Sequence, residues 1–284
     1  MKFLILGCNG MTGHMISAYL LERGHDVMGF ARSQSSLVRT IVGDANDKKT
    51  VFDVLHAGCF DVVVNCIGIL NQFAEKNKAE AVFLNSYFPH FIAEVVRNIP
   101  TQIIHISTDC VFSGQRGQYR EDDFRDGMSF YDRSKALGEL EYENSLTLRQ
   151  SIVGPDIKPE GIGLLNWFMQ QQGEVQGYTR AIWTGQTTLQ LAKTIEAAAQ
   201  ERICGLYHMV PDSSISKYDL LVLFNIYLRK NEISVIPNDT IISDKSLNRT
   251  RFAFDYRIPD YEQMVAELAG WMSQHQKLYS HYYR

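Results

Sequence analysis

Short apolar runs alternate with stretches of helical periodicity along the first half of the chain. Apolar runs of this length are typical of strands that are buried on both faces of a sheet. The pattern predicts strands over residues 2–6, 27–31, 61–66, 102–107 and 146–149, and helices over 11–23, 47–56, 78–97 and 129–143. We expect Asn46 to cap the second of these helices and Pro89 to kink the third.

This alternation predicts βαβ units, in which a parallel sheet carries helices on both faces. The expected fold class is therefore α/β, a Rossmann-type doubly wound parallel sheet with a smaller C-terminal lobe. In such sheets, ligands bind at the carboxyl ends of the strands. Gly7, Arg32, Gly68 and residues 107–109 all follow predicted strands, so we expect them to surround one cleft.

Composition narrows the class of protein. A formal net charge of −4, with dispersed Lys and Arg, gives no reason to expect a nucleic-acid partner. The 5 Cys and 8 His residues show no paired metal-ligand spacing, so we expect reduced thiols and no metal site. No apolar run approaches the ~18 residues of a membrane span, so we expect a cytoplasmic protein without a membrane partner.

Tyr131 and Lys135 lie about one helical turn apart, so both side chains can project into the same cleft. A phenol with a pKa of ~10 is a poor acid–base catalyst near neutral pH, and a neighbouring ammonium lowers that pKa. A tyrosine tuned in this way can give a proton to a carbonyl while a dinucleotide gives a hydride. We interpret the pair as catalytic.

A glycine motif, Gly7-x2-Gly10-x2-Gly13, follows the first predicted strand and opens a helix. Glycines in this position permit a tight turn and let the backbone approach a pyrophosphate at the helix N-terminus. We expect the loop to bind a dinucleotide, with Asn9 and Met11 also in contact. The alternative is a turn that serves only packing.

The second predicted strand is followed by Arg32 and Ser33, with no acidic residue to bind the ribose 2′-hydroxyl of NAD. Arginine can hold a 2′-phosphate through charge-assisted hydrogen bonds. We therefore expect NADP(H) to be preferred, with NAD(H) also accepted. The alternative is an arginine that is merely solvated.

Two further strand ends carry candidate cofactor residues. Asp44 and Ala45 follow a further, third strand expected between 27–31 and 61–66, where an acid often meets the adenine amino group. The fourth strand ends in Cys66, Ile67 and Gly68, where small residues let a cofactor lie against the backbone. A plain turn is the alternative in both places.

Beyond Gly154 and Pro155 the pattern loosens, with helices predicted over 187–200, 216–229 and 261–283. We expect residues 1–155 to form the NAD(P)-binding Rossmann domain and 156–284 a substrate-binding lobe. The lobe should be partly interleaved with the core, with residues 186–204 packing on the Rossmann domain.

Thr108 is placed to hydrogen-bond a substrate carbonyl and to stabilise the developing oxyanion. A β-turn hydroxyl is the alternative. Asp109 either contacts the substrate or caps a turn.

With these residues the chain resembles the extended short-chain dehydrogenase/reductase superfamily, and within it the dTDP-4-dehydrorhamnose reductase family of sugar-nucleotide reductases. The segments that carry the resemblance are residues 7–13, 107–114, 119–122, 131–135 and 148–151. The stretch from 107 to 149 is specific, and the resemblance weakens after Gly154.

The resemblance implies that Tyr131 is the acid, that Lys135 lowers its pKa and holds the nicotinamide ribose, and that Thr108 binds the C4 oxygen. It places Asn85 among the cofactor residues, at a position that often supports the active site. The residues implied to contact the substrate are Asp109, Cys110 and Val111. The implied reaction is reduction of a nucleotide-linked 4-keto-6-deoxyhexose by NAD(P)H, for deoxysugar and polysaccharide biosynthesis. A homodimer is compatible with it.

Two alternatives are other reactions of the same superfamily. A 4,6-dehydratase places Asp-Glu after the threonine, whereas this chain has Asp109 and Cys110. An epimerase–reductase like GDP-fucose synthase places a cysteine two residues after the catalytic hydroxyl, as Cys110 is here. It also needs a histidine in the substrate lobe, and none lies between His105 and His208.

A third alternative is a non-catalytic regulatory subunit that keeps the fold, like the β subunit of methionine adenosyltransferase. Intact Thr108, Tyr131 and Lys135 argue against it.

Overall fold

The computed structural model describes residues 1–283. Its strands are β1 (Lys2–Leu6), β2 (Asp26–Ala31), β3 (Arg39–Val42), β4 (Val62–Asn65), β5 (Gln102–Ile106), β6 (Ser145–Leu148), β7 (Ser151–Val153), β8 (Glu174–Tyr178), β9 (Ala181–Trp183), β10 (Gly185–Thr187), β11 (Gly205–Tyr207), β12 (Ile215–Ser216), β13 (Ser234–Asn238) and β14 (Ser243–Asp244). Its α-helices are α1 (Met11–Glu22), α2 (Lys48–Ala57), α3 (Asn71–Lys76), α4 (Lys78–Ala81), α5 (Phe88–Val95), α6 (Phe130–Leu137), α7 (Leu164–Met169), α8 (Thr188–Gln200), α9 (Lys217–Arg229) and α10 (Tyr261–Gln274). A π-helix spans Val82–Tyr87, and short 3-10 helices span Asp109–Val111 and Ser280–Tyr282.

The central sheet has seven strands in the order β11-β6-β5-β4-β1-β2-β3. Every neighbouring pair in it is parallel. Strands β4, β5 and β6 are buried at every position, as expected for apolar strands covered on both faces. The strand order reverses between β1 and β4, which is where doubly wound sheets bind ligands. The predicted Rossmann-type sheet is confirmed.

Each face of the sheet packs against its own helices. On one face, α1 and α8 contribute Ile16, Leu20, Leu191 and Ile195 to a core shared with the sheet. On the other face, α2 and α5 contribute apolar side chains such as Leu55. Helix α8 and strand β11 come from the second half of the chain, yet both belong to this central layer.

The rest of the second half forms smaller sheets around a separate apolar cluster. The three-stranded sheet β12-β9-β14 and the pairs β13-β8 and β10-β7 lie here. Helices α7, α9 and α10 fill the cluster with side chains such as Phe168, Phe224 and Leu268. Within residues 1–283, no helix is long and apolar enough to cross a membrane.

Helix α6 ends at Leu137, well before the predicted end at 143. The cause is Gly138, which packs so tightly that a Cβ there would lie 1.9 Å from the Asn85 carbonyl oxygen. The chain turns at this contact because the neighbouring helical segment occupies the space that a longer helix would need. Local periodicity does not carry that information.

The predicted helix over 78–97 is interrupted by the π-helix Val82–Tyr87 just before Pro89. Proline has no N–H to bond the carbonyl four residues earlier, which here is that of Asn85. The backbone hydrogen bonds therefore change from the α-helical to the π-helical pattern at this point, and the helix does not simply kink. Short π-helical segments often occur at functional sites.

Two other predicted boundaries differ. Asp47, not Asn46, caps α2, because its Oδ1 accepts a hydrogen bond from the Thr50 N–H at 3.1 Å. The predicted helix over 261–283 stops at Gln274 and resumes as the 3-10 turn Ser280–Tyr282.

Candidate active site

Thr108, Tyr131 and Lys135 lie where two elements meet at the carboxyl edge of the sheet. Thr108 follows β5, and its Oγ1 accepts a hydrogen bond from the Cys110 N–H at 3.1 Å, which starts the 3-10 turn. Helix α6 carries the other two residues, and its start is fixed by a reciprocal cap between Ser129 and Asp132. All three predicted catalytic residues are at least nine-tenths buried.

The surroundings of Tyr131 favour the protonated phenol. Burial raises the pKa of Tyr131, and Cys110, once ionised, and the charge of Asp109 raise it further. The Thr108 hydroxyl interacts with the phenol and lowers its pKa, but by less than burial raises it. Tyr131 therefore keeps its proton at neutral pH, which is the state that a general acid requires.

Lys135 is held by contacts to β5. Its Nζ donates a hydrogen bond to the Ile106 carbonyl at 2.8 Å and lies 3.4 Å from His105 Nε2. Burial lowers the pKa of Lys135 to about 8, although the charge of Glu139 raises it. The Thr108 hydroxyl lowers the pKa of Tyr131. The Lys135 amine is turned toward β5.

Asp109 is buried beneath Thr108, the predicted catalytic threonine. Its Oδ1 accepts hydrogen bonds from Thr108 Oγ1 at 3.1 Å and from Ser151 Oγ at 3.0 Å. Burial raises the pKa of Asp109, while the charges of Lys245 and Lys217 from the second half lower it. Asp109 thus joins the end of β5 to the start of β7.

Cys110 and Val111 complete the predicted substrate residues. Val111 is fully buried beside Phe112 and Tyr119, so it supports the turn through packing. Burial raises the pKa of the Cys110 thiol to about 12, and the Asp109 charge adds to this effect. The thiol is therefore neutral at physiological pH.

The glycine loop has the shape that a dinucleotide phosphate needs. Gly7 adopts a φ of +83°, and a Cβ on Gly13 would lie 2.2 Å from the Gly7 carbonyl oxygen. Asn9 Nδ2 donates a hydrogen bond to the Ser33 carbonyl at 2.9 Å, tying the loop to the end of β2. The residues present fit a dinucleotide, because only glycine permits this close turn at the head of α1. Met11 is the first residue of α1 and is partly exposed.

Arg32 lies just past β2 with its side chain exposed. Within residues 1–283, its guanidinium has no hydrogen-bond or ion-pair partner. It is therefore available to an anion beside the glycine loop.

The segments that follow β3 and β4 lie at the same carboxyl edge of the central sheet. Asp44 is exposed and accepts a hydrogen bond from the Asn46 N–H at 2.9 Å, and Ala45 is buried. On the other side, Ile67 packs against Gly7 and burial raises the pKa of Cys66 to about 12.

Asn85 supports the loop after β4. Its side chain is fully buried, accepts from the Ile69 N–H at 2.8 Å and donates to the Ile69 carbonyl at 2.9 Å. It also donates to Ser134 Oγ on α6 at 3.0 Å. Gly68 must be small here, since a Cβ would lie 3.0 Å from Asn85 Oδ1.

A buried ion pair near the end of β5, before Thr108, was missed by our sequence analysis. Glu139 accepts hydrogen bonds from Arg149 at 2.6 and 2.7 Å and from Ser107 Oγ at 2.6 Å. Burial alone would raise the pKa of Glu139, but the bonds and charge of Arg149 outweigh it and hold the carboxyl ionised. The available signal was the four-residue spacing from Lys135 to Glu139 within the helix predicted over 129–143.

His208 belongs to this buried network. Its Nε2 accepts from Arg149 at 2.9 Å and its Nδ1 donates to the Asn248 carbonyl at 3.1 Å. Burial and the Arg149 charge lower the pKa of His208 to about 4.

Within residues 1–283 no cluster of three or more His, Cys, Asp or Glu side chains could hold a metal ion.

Comparison with known proteins agrees with the geometry. The chain is 27% identical over 234 residues to the probable low-salt glycan biosynthesis reductase of Haloferax volcanii. The aligned region covers 77% of each protein. It is 29% identical over 144 residues to dTDP-4-dehydrorhamnose reductase of Mycobacterium tuberculosis, covering 49% of this chain and 44% of that protein. The chain thus matches less than half of that reductase's length.

Solved structures share the fold across nearly the whole chain. The dTDP-4-dehydrorhamnose reductase of Bacillus anthracis, solved in complex with NADP, matches with a TM-score of 0.78 at 19% identity, covering 94% of this chain and 98% of that one. A UDP-glucose 4-epimerase of Thermotoga maritima with UDP-glucose matches with the same TM-score, 0.78, at 14% identity, covering 97% and 99%.

The family model that matches is the RmlD substrate binding domain, over residues 1–251. This match confirms the resemblance inferred from the glycine, threonine and tyrosine–lysine motifs. The chain belongs to the RmlD substrate binding domain family.

Proposed function

We propose that this protein is an NAD(P)H-dependent reductase that converts the C4 ketone of a nucleotide-linked 4-keto-6-deoxyhexose to an alcohol. The observation that carries the proposal is the buried, protonated Tyr131 beside the Thr108 hydroxyl, next to a glycine loop shaped for a dinucleotide. The reductase names of its relatives support the same class of reaction.

The dinucleotide supplies the hydride when it is bound. Tyr131 donates a proton to the carbonyl oxygen, because burial keeps the phenol protonated. With substrate bound, the Thr108 hydroxyl would donate its one proton to the same oxygen instead of to Asp109 Oδ1, which accepts it in the free protein. Lys135 holds the nicotinamide ribose.

NADP(H) is the preferred cofactor in this proposal. The exposed Arg32 guanidinium next to the glycine loop suits a 2′-phosphate, and Ser33 lies beside it on the segment that Asn9 binds. Asp44, Ala45, Cys66, Ile67 and Gly68 would border the adenine and ribose.

A simple reduction is favoured over combined epimerisation and reduction. An epimerase needs an acid–base pair that exchanges protons beside the ketone. The neutral Cys110 thiol is poorly suited to this task, and His208 is fully buried against Arg149.

A panel of dTDP-, UDP- and GDP-linked 4-keto-6-deoxy sugars, with NADPH absorbance as the readout, tests the function. We expect NADPH oxidation with at least one of these substrates. NADPH binding without turnover on any of them would instead indicate a regulatory protein.

A further inference from the structure

His105 lies between the catalytic helix and the end of β4, and its imidazole is fully buried. It is the register partner of Asn65 in the parallel pair of β4 and β5. Asn65 Nδ2 lies 3.1 Å from His105 Nδ1, and Lys135 Nζ lies 3.4 Å from His105 Nε2. One ring therefore bridges the fourth strand to the predicted catalytic lysine.

The orientation of the Asn65 amide is fixed by its other contact. Its Oδ1 accepts a hydrogen bond from the Ile67 N–H at 3.1 Å, so its Nδ2 is the atom that faces the imidazole. An amide NH2 can only donate, so His105 Nδ1 must accept. Burial and the Lys135 charge keep the pKa of His105 well below its usual range, so the ring is neutral.

A neutral imidazole whose Nδ1 accepts carries its proton on Nε2. That proton points at Lys135 Nζ. An ammonium cannot accept a hydrogen bond, whereas a neutral amine can accept through its lone pair. The Nε2–H therefore disfavours charged Lys135, while the Ile106 carbonyl accepts from Nζ in either state.

We propose that Asn65 and His105 are positioning residues that act through Lys135, presenting a fixed imidazole N–H to the amine and so setting the pH at which Lys135 changes its charge. The proposal rests on the role that the proposed function gives to Lys135.

The other groups that face Lys135 are few. Glu139, just beyond the end of α6, favours the charged amine, and burial opposes it. Cys66, at the end of β4, is a neutral thiol, because burial raises its pKa to about 12. His90 on α5 influences the imidazole of His105 through its charge, but its own ring is bonded to Tyr142 and to the Leu137 carbonyl. His105 thus supplies the only N–H directed at Lys135 Nζ among the contacts within residues 1–283.

The test is a titration of Lys135 by NMR of lysine side chains labelled with ¹³C and ¹⁵N, assigned with Lys135→Met. His105→Phe removes the N–H and keeps a flat ring. Asn65→Asp replaces the donating amide with an accepting carboxylate, so that Nδ1 of His105 becomes the donor and Nε2 of His105 accepts. We expect both to move the Lys135 midpoint upward by about one pH unit, as expected for loss of one hydrogen bond to the neutral form. His90→Phe, the matched control, should leave the midpoint unchanged.

The ring itself gives a second readout that needs no variant to fold. In wild type, ¹⁵N shifts of His105 should report a neutral Nε2–H tautomer from pH 5 to 8. A charged ring, an Nδ1–H tautomer, or an unmoved Lys135 midpoint in a folded Asn65→Asp or His105→Phe protein would overturn the proposal.

Neither readout requires turnover, so the two proposals can fail separately. A shifted Lys135 titration in a protein that reduces no sugar nucleotide would support the His105 role and reject the reductase. In an active enzyme, the high-pH decline of kcat/KM should move upward in His105→Phe together with the Lys135 midpoint.

Discussion

At the scale of single residues, the chemistry depends on how burial sets protonation. Burial raises the pKa values of Tyr131 and Cys110 and lowers that of Lys135 to about 8. The residue types and their spacing were predictable from the sequence, because a tyrosine–lysine pair one helical turn apart is a local pattern. The partners of Lys135 were not, because His105 and Ile106 reach it only through the folded sheet.

Arg32→Ala should weaken NADPH binding by ~10–150-fold, because a charge-assisted contact to the 2′-phosphate contributes ~1.5–3 kcal/mol. NADH affinity should change little, since NADH lacks that phosphate. Arg39→Ala is the matched control, because Arg39 is also exposed but begins β3 at the opposite end of the sheet. Fluorescence titration with both cofactors measures the effect. Equal affinity of wild type for NADPH and NADH would show that Arg32 is only a surface residue.

Cys110→Ser should leave reductase activity within about threefold of wild type, a barrier change of ~0.65 kcal/mol at most. The neutral thiol has no proton-transfer task in a simple reduction, so its loss should cost only packing. Product formed in D2O should contain no deuterium at C3 or C5 of the sugar, after correction for spontaneous exchange. Uptake that disappears in Cys110→Ser would favour the epimerase–reductase.

At the scale of elements, five strands of the central sheet were predicted well and helix ends less well, whereas the short strands of the second half were not predicted. The buried strands could be predicted because unbroken apolar runs of this length are typical of strands in a sheet that is covered on both faces. The end of α6 and the π-helix before Pro89 depend on each other, because Gly138 touches the Asn85 carbonyl. Such contacts join residues that are distant in sequence, so local periodicity could not reveal them.

Gly138→Ala should destabilise the protein by ~1–3 kcal/mol and reduce turnover, because the added methyl would push α6 away from the Asn85 backbone. Gly270→Ala in α10 is the matched control. Nothing lies within 4 Å of its Cβ position, so alanine there should stabilise by about 0.5–1 kcal/mol. Urea unfolding of both variants provides the comparison. A Gly138→Ala protein as stable as wild type would refute this explanation of the helix end.

At the scale of the whole molecule, the alternation of strands and helices was enough to predict the doubly wound sheet. The glycine loop, the threonine turn and α6 meet at its carboxyl edge because parallel strands place their ends together. The buried network of Glu139, Arg149 and His208 was beyond prediction, since His208 comes from the second half of the chain. The domain division at 155, the cytoplasmic location and the homodimer stay predictions.

The central claim is that Tyr131 gives the proton in a reduction by NADPH, and the most direct measurement compares wild type with Tyr131→Phe. Turnover of a nucleotide-linked 4-keto-6-deoxy sugar should fall by ~10²-fold or more, while NADPH binding stays nearly intact, because only the proton donor is removed. Lys135→Met, measured beside it, should lose both turnover and cofactor affinity. Full activity in Tyr131→Phe would contradict the account.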